Sequence, residues 1–165
     1  MDFQRFCRHV LMGPIQARRS FPATTLDAIE REIAALETRH RGEVCFVVEA
    51  DLTSAQLWRD VSSRDRAREV FATHGVWNTE ENNGVLIYVL LADRKVEIVA
   101  DRGVDRKAAP DEWPAICRTM EDHFREGRFA QGAIDGVRAA SAILVRHFPA
   151  SGDERNELGD RPVLM

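Results

Sequence analysis

The hydrophobic and polar positions of this chain follow two spacings, one typical of strands and one typical of helices. The apolar run at residues 84–91 shows no alternation, as expected of a strand that is covered on both faces. Residues 43–50 and 95–100 predict two further strands. Helical spacing predicts helices before Pro14, from Thr24 to His40, from the Thr53-x-x-Gln56 capping box onward, and within 64–75, 111–126 and 128–148.

The order of these elements predicts an α/β fold, a three-layer α/β/α sandwich with a short mixed β-sheet. A helical crossover joins the first two strands, so we expect them to be parallel. The second and third strands are separated by only a few residues and should form a hairpin that turns at Asp93. Three regions are predicted: an N-terminal helix and linker at 1–20, the domain at 21–149, and a polar, poorly ordered tail at 150–165.

The N-terminal segment predicts a short basic amphipathic helix. Phe3, Phe6, Val10 and Leu11 share one helical face, and the arginines lie elsewhere. Two interpretations remain open. The apolar face either packs on the domain and leaves the arginines solvated, or it meets a membrane surface or a partner protein. At about ten residues the helix is short for a membrane anchor, which favours packing.

Charge and cysteine content narrow the function. The 165 residues carry a net charge of −4, so no overall basic field attracts nucleic acid. Residues 1–22 carry +3 and the remainder −7, an asymmetry that predicts weak peripheral association of this end with an anionic membrane. The three cysteines are widely spaced and no apolar run reaches the length of a membrane span. We therefore expect a cytoplasmic protein with reduced thiols.

The tripeptide Ala-Asp-Arg occurs twice, with Asp93 and Asp101 eight residues apart. In an extended chain this is about 26 Å, which is too far for the two carboxylates to share a ligand. Asp93 suits the hairpin turn, whereas Asp101 ends the third strand. Because that strand runs back, Asp101 should lie beside the loop that precedes the second strand.

This juxtaposition predicts a metal site. The candidate ligands are carboxylate and amide oxygens on two loops, which suit Ca²⁺ or Mg²⁺. Asn and Asp are also good turn formers, so a structural role remains an alternative. The candidates are Glu81, Asn82, Asn83, Asp101 and Asp105.

The opposite edge of the sheet holds a weaker candidate. Glu49-x-Asp51-x-Thr53 resembles the Asp-x-Asp-x-Thr of haloacid-dehalogenase-type phosphatases, but Glu replaces Asp at the nucleophile position. Helix capping by Thr53 is the favoured interpretation. Asp51 stays a candidate catalytic residue.

Residues 77–103 resemble the TPM domain, also called TPM phosphatase. The resemblance rests on Asn83-Gly84-Val85-Leu86 opening the buried strand, Asp93-Arg94 in the turn, and Gly103-Val104-Asp105 after the third strand. It extends over about 21–148. Residues 40–52 and 156–165 are similar to those of a cytoplasmic bacterial subgroup.

The resemblance implies a Rossmann-like fold, divalent-cation binding and phosphatase-like activity. It also implies a role beside LemA-like membrane proteins. If the protein is an enzyme, it is a metal-dependent phosphomonoester hydrolase with Asp101 and Arg102 as candidate catalytic residues. Asp105 stands where the family has Glu, and Arg102 replaces an aromatic residue. The alternative is a non-catalytic assembly module, which the lack of a visible nucleophile–base pair favours.

Overall fold

The computed structural model describes residues 3–152 and 156–165, which contain eight helices and four strands. Residues 1, 2 and 153–155, parts of the predicted N-terminal segment and tail, lie outside the described residues. The elements are α1 (Phe3–Leu11), α2 (Pro14–Ser20), α3 (Ala23–Glu37), β1 (Glu43–Glu49), α4 (Ser54–Trp58), α5 (Ser63–Thr73), β2 (Gly84–Leu90), β3 (Lys95–Ala100), α6 (Arg102–Asp105), α7 (Glu112–Arg125), α8 (Phe129–His147) and β4 (Val163–Leu164).

The four strands form one mixed sheet in the order β3-β2-β1-β4. β1 and β2 are parallel, with Cys45 opposite Leu86, and β2 and β3 are antiparallel, with Val85 opposite Ala100. Both predicted pairings are therefore confirmed. β1 and β2 are buried along their whole length, because they occupy the two central positions of the sheet.

Helices cover both faces of the sheet. On one face, Phe46 and Ile87 belong to the core that includes residues of α3, α7 and α8. On the other face, Val47 and Tyr88 belong to a second core with residues of α4 and α5. Successive residues of one strand point to opposite faces, so a strand without alternation serves two cores. The predicted three-layer sandwich is confirmed.

The start and end of α3 differ from the prediction. The helix begins at Ala23 with Pro22 at the N-cap, and the Pro22 carbonyl accepts hydrogen bonds from the first turn. Thr24 therefore lies inside the helix and does not cap it. The helix ends at Glu37, and His40 instead forms an isolated bridge with Pro149.

Residues 163–165 pair with the edge of the sheet, whereas the sequence predicted a poorly ordered tail at 150–165. Val163 and Leu164 form β4, which pairs with Val47 and Val48 at the edge of the sheet. The ladder continues at the last residue, where the Met165 amide donates to the Val48 carbonyl at 2.8 Å. Composition suggested disorder because residues 156–165 are mostly polar. Long-range pairing with β1 overrides that local signal.

The N-terminal helix buries its polar face, which is the reverse of the packing interpretation. His9 is 2% exposed, whereas Phe3, Val10 and Leu11 are 73%, 64% and 76% exposed. Only Phe6 of the four predicted apolar residues packs against a core. The contacts of Arg5 and His9 explain this orientation: both side chains hydrogen-bond to Asp93 in the hairpin turn.

No helix in the described part of the chain has the length and apolar character needed to cross a membrane.

Candidate cation site at the amino edge of the sheet

Two loops meet at the edge where β1 and β2 begin and β3 ends. The Asp101 amide donates to the Gly84 carbonyl at 2.8 Å, and the Gly103 amide donates to the Asn82 carbonyl at 3.0 Å. The loop before β2 and the short helix α6 are therefore held together by backbone hydrogen bonds. This is the juxtaposition expected from the sheet topology.

Glycine permits this close approach. A Cβ atom on Gly103 would lie 2.4 Å from the Asn82 carbonyl oxygen and 2.7 Å from that of Glu81. On Gly84 it would lie 2.0 Å from the Val76 carbonyl oxygen. These neighbours are backbone atoms and cannot rotate away, so both positions require glycine.

Asp101 caps α6 and leaves one oxygen without a partner. Its Oδ1 accepts a hydrogen bond from the Arg102 amide at 2.7 Å. Its Oδ2 is buried and has no hydrogen-bond partner among the described residues, and the residue is only 8% exposed. Asp101 Oδ2 is thus shielded from water and has no hydrogen bond among the described residues to replace those to water.

Asn83 shows the same imbalance on the adjoining loop. The residue is 1% exposed. Its side-chain Nδ2 donates to the Arg41 carbonyl at 2.7 Å, and its backbone amide donates to Thr79 Oγ1 at 3.0 Å. Its Oδ1 is buried without a partner in the described part of the chain. Asn83 directly precedes Gly84, whose carbonyl accepts from the Asp101 amide, so the two residues with an unpartnered oxygen lie on adjoining segments of the chain.

The other three candidate ligands are solvated or already partnered. Glu81 pairs with Arg41, with 2.6 Å between Oε1 and Nη1. Asn82 Oδ1 accepts a hydrogen bond from the Arg102 guanidinium at 3.3 Å. The Asn82 backbone is left-handed, with a φ of 53°. Asp105 is exposed. Within residues 3–152 and 156–165, no three His, Cys, Asp or Glu side chains are grouped closely enough to hold a metal by themselves.

Asp51 lies at the opposite edge of the sheet, after the end of β1, and cannot act together with Asp101. Burial, the main cause, and the charge of Glu49 raise the pKa of the Asp51 carboxyl, and the nearby His9 opposes them. Thr53 forms the predicted capping box with Gln56.

Glu49, at the nucleophile position of the phosphatase-like motif, is occupied by structural contacts. Its carboxylate forms a bidentate ion pair with Arg66 and accepts a hydrogen bond from the Tyr88 hydroxyl. Sequence reasoning did not find this cluster. The signal was present, because Tyr88 is the only tyrosine of the chain and lies in an otherwise aliphatic strand. A buried tyrosine hydroxyl needs a partner, and Glu49 is the nearer of the two acidic residues of the adjacent strand.

Comparison with known proteins supports the family resemblance seen in the sequence. The family model described as TPM domain matches residues 17–143. The NMR structure of the BA42 protein from Bizionia argentinensis is 29% identical, with a TM-score of 0.76, 87% of this chain and 94% of that chain covered. The N-terminal domain of a P. gingivalis protein is 25% identical, with a TM-score of 0.57, 76% of this chain and 79% of that chain covered. The curated proteins contain no match. This chain therefore belongs to the TPM domain family.

Proposed function

We propose that this TPM domain binds a divalent cation, Ca²⁺ or Mg²⁺, at the edge formed by Asn83 and Asp101. The observation that supports the proposal is the pair of buried oxygens, Asn83 Oδ1 and Asp101 Oδ2, that lack hydrogen-bond partners among the described residues. A buried polar atom without a partner costs about 1–3 kcal/mol, so two at one edge indicate a missing partner.

The chemistry of these two groups fits a hard cation. Ca²⁺ and Mg²⁺ prefer carboxylate and amide oxygens, and both retain water ligands where the protein supplies few. Asp105 is exposed near the site and Glu81 would become available if it left Arg41. With two buried oxygens as the principal ligands, we expect weak binding, in the range of extracellular calcium modules, with a Kd of roughly 10⁻⁴–10⁻³ M.

Any catalysis by this site is expected to be weak phosphomonoester hydrolysis. A bound divalent cation supplies Lewis-acid polarisation of a phosphate oxygen. Arg102 is exposed beside the site, where its guanidinium could orient the phosphate through paired hydrogen bonds. None of the contacts among the described residues at this edge pairs a nucleophile with a base, so we propose binding as the main activity.

Titration with CaCl2 and with MgCl2, followed residue by residue in the ¹H–¹⁵N NMR spectrum, tests the proposal. We expect shifts centred on the amides of residues 82–84 and 101–103. Asp101→Asn should weaken binding at least tenfold, because it replaces a charged ligand by a neutral one. It should leave the fold intact, because Asn can also accept the Arg102 hydrogen bond.

The control is Asp111→Asn, which makes the same change of charge at an exposed residue that also precedes a helix but makes no capping hydrogen bond. It should bind both ions as the wild type does. Shifts spread over the acidic surface, or equal affinity of the Asp101→Asn and Asp111→Asn variants, would contradict a cation site at this edge.

A second candidate function, attachment to an anionic membrane surface in a cytoplasmic assembly role, is supported by the exposed face of α1. Phe3, Val10 and Leu11 point outward, and Ile15 of α2 is 67% exposed. Arg8, Arg18 and Arg19 are exposed on the same two helices. An apolar face bordered by arginines is complementary to an anionic lipid surface, and each basic residue contributes about 1 kcal/mol near it. A LemA-like membrane protein could strengthen such attachment.

Co-sedimentation with phosphatidylserine-containing vesicles tests the second candidate. We expect binding at low salt that is lost at high salt and absent with neutral vesicles. Leu11→Gln should reduce binding without unfolding the protein, because Leu11 is exposed. The control is Trp77→Gln, which removes a large apolar side chain that is 55% exposed in the loop before β2. Salt-independent binding, or equal loss in both variants, would argue against α1 as the membrane contact.

A further inference from the structure

A cavity of about 290 Å³ opens at the carboxyl end of β2, on the face of the sheet that α7 and α8 cover. Its apolar lining includes Met12, which follows α1, and Val89 and Leu91 from β2 and the following turn. Phe124 and Phe129 line it as well, and their rings stack at 5.3 Å between centroids. The carboxyl ends of strands are the usual place for ligands in open α/β sheets.

The mouth of the cavity is positively charged. Arg94 and Arg125 line it together with Glu121. The Glu121 carboxylate is already engaged, because it accepts a hydrogen bond from the Val96 amide and pairs with Lys95 Nζ at 3.6 Å. Arg125 pairs only with Asp122 among the described residues, and both side chains are more than 60% exposed (63% and 65%). Asp122 therefore already engages Arg125, and the exposed Arg94 supplies the guanidinium that is available to an anion at the mouth.

Arg94 occupies a turn position that favours another residue type. Its φ of 54° is left-handed, and its amide closes the hairpin turn by donating to the Leu91 carbonyl at 3.0 Å. Glycine or asparagine adopts this conformation more readily, by about 1–2 kcal/mol relative to other residues. No described residue forms a hydrogen bond or ion pair with the Arg94 side chain. Backbone geometry and internal contacts thus give no reason for an arginine here, whereas the position beside the cavity does.

We infer that this cavity binds a small amphipathic carboxylate, with the carboxylate on Arg94 and the apolar body between Phe124, Phe129 and Leu91. One guanidinium matches one carboxylate through two parallel hydrogen bonds. A dianionic phosphate is less suited, because Glu121 lies at the same mouth. The cavity is at the small end of ligand sites, so the apolar body must be short. It lies at the opposite end of β2 from Asn83 and is therefore independent of the proposed cation site.

Titration of the full-length protein with octanoate, followed in the ¹H–¹⁵N NMR spectrum, tests this inference. We expect shifts clustered at Leu91, Arg94 and Phe129. Acetate lacks the apolar body and 1-octanol lacks the charge, so each should bind at least tenfold more weakly than octanoate. Arg94→Gly should weaken octanoate binding about tenfold while the Tm stays the same or rises, because glycine relieves the left-handed backbone.

The control is Arg118→Gln, which removes an exposed arginine of α7 that does not line the cavity. It should bind octanoate like the wild type. The inference is overturned if 1-octanol binds as tightly as octanoate, if Arg94→Gly retains wild-type affinity, or if the octanoate shifts concentrate on the exposed apolar face of α1. Because the readout involves no added cation, the cation proposal can fail while this one stands, and the reverse.

Discussion

Replacing Asp93 by asparagine is expected to lower the free energy of unfolding by about 2 kcal/mol, since the change removes the charge that holds α1 on the domain. The Asp93 side chain is 10% exposed and that of Arg5 is 15% exposed. Asp93 Oδ2 accepts from Arg5 Nη2 at 2.8 Å, and Oδ1 lies 3.0 Å from His9 Nε2. With asparagine, a largely buried guanidinium loses its main counter-charge.

The tautomer of His9 follows from its two contacts. Its Nδ1 lies 2.9 Å from the Leu52 amide, which can only donate, so Nδ1 accepts. Nε2 therefore carries the hydrogen of the neutral ring and donates to Asp93. Through His9, Asp93 is linked to the chain segment that follows β1, which is why we expect its loss to expose the Leu52 amide to hydrogen exchange.

The matched control is Asp60→Asn. Asp60 also pairs with Arg5, at 3.4 Å, but its side chain is 73% exposed. Asp60 has a φ of 52°, a conformation that asparagine tolerates, so the substitution does not strain the backbone. A pair this exposed contributes about 0–1 kcal/mol. Equal destabilisation by the two substitutions would show that Asp93 has no special role.

The effect of Asp93 must depend on pH. Burial by itself would raise the pKa of Asp93, but the hydrogen bonds from Arg5 and His9 outweigh it and hold the pKa below the ordinary value of 3.8. The unfolded chain then binds the proton more readily than the folded one. The stabilisation is therefore complete above about pH 4 and is lost as the pH falls through the lower folded-state value. Urea unfolding at pH 7 and at a series of pH values below 3.8 should show the stabilities of the wild type and Asp93→Asn converging in acid. A difference that persists in acid would contradict an ionic contact.

The sequence predicted the sheet well and the packing of α1 poorly, for different physical reasons. A strand buried on both faces is apolar at every position, so the composition of residues 84–91 by itself indicates that the strand is buried. An amphipathic helix shows only which residues share a face. Which face is buried depends on what the helix meets, and α1 meets Asp93, a partner more than 80 residues away in the sequence. The apolar face was identified correctly but assigned to the wrong side.

The candidate site was predictable to the extent that topology determines it. An antiparallel hairpin must return Asp101 to the start of β2, so the meeting of the two loops followed from the order of the strands. The states of the individual side chains did not follow. Glu81 pairs with Arg41, which lies 40 residues earlier, and nothing local to either residue indicates this. The sequence named five candidates without showing which are buried, whereas the structure distinguishes Asn83 and Asp101 from the rest by their burial.

Residues 156–165 contact the acidic side chains of Glu37 and Glu43, which lie at the end of α3 and the start of β1. The Glu43 carboxylate accepts hydrogen bonds from the amides of Glu157 and Leu158, at 3.0 and 3.1 Å. Glu37, at the end of α3, accepts from the Val44 amide at 3.1 Å. Burial, and then the charge of Glu43, raise the pKa of Glu37 to about 9, against the hydrogen bond from Val44, and Asp160 of the tail adds to the increase. Glu37 is therefore protonated at neutral pH in the folded protein.

Raising the pH should loosen this tail. The folded state binds the Glu37 proton more tightly than the unfolded chain, whose ordinary value is 4.5. The stabilisation is complete below pH 4.5 and is lost progressively as the pH rises through about 9. The ionised carboxylate then faces Glu43 and Asp160, and the hydrogen bond from the Val44 amide does not offset their charges. We expect the Met165 amide, which donates to the Val48 carbonyl, to lose protection against hydrogen exchange over this range.

Glu37→Gln should remove this dependence and stabilise the protein above pH 7, because glutamine reproduces the neutral form of the acid and can still accept from the Val44 amide. The measurement is the ratio of Met165 exchange rates in the variant and the wild type at each pH, which cancels the intrinsic increase of exchange with pH. That ratio should fall as the pH rises from 7 to about 9 and then level off, and the Tm of the variant should rise relative to that of the wild type over the same range. The control is Glu32→Gln. Glu32 lies on α3, as Glu37 does, and pairs with Arg138 of α8 at the surface, so its replacement should leave the ratio independent of pH. If the Glu37→Gln variant and the wild type lose protection together, the Glu37 proton does not stabilise the tail. The pairing of β4 with β1 then accounts for the attachment of the tail without Glu37.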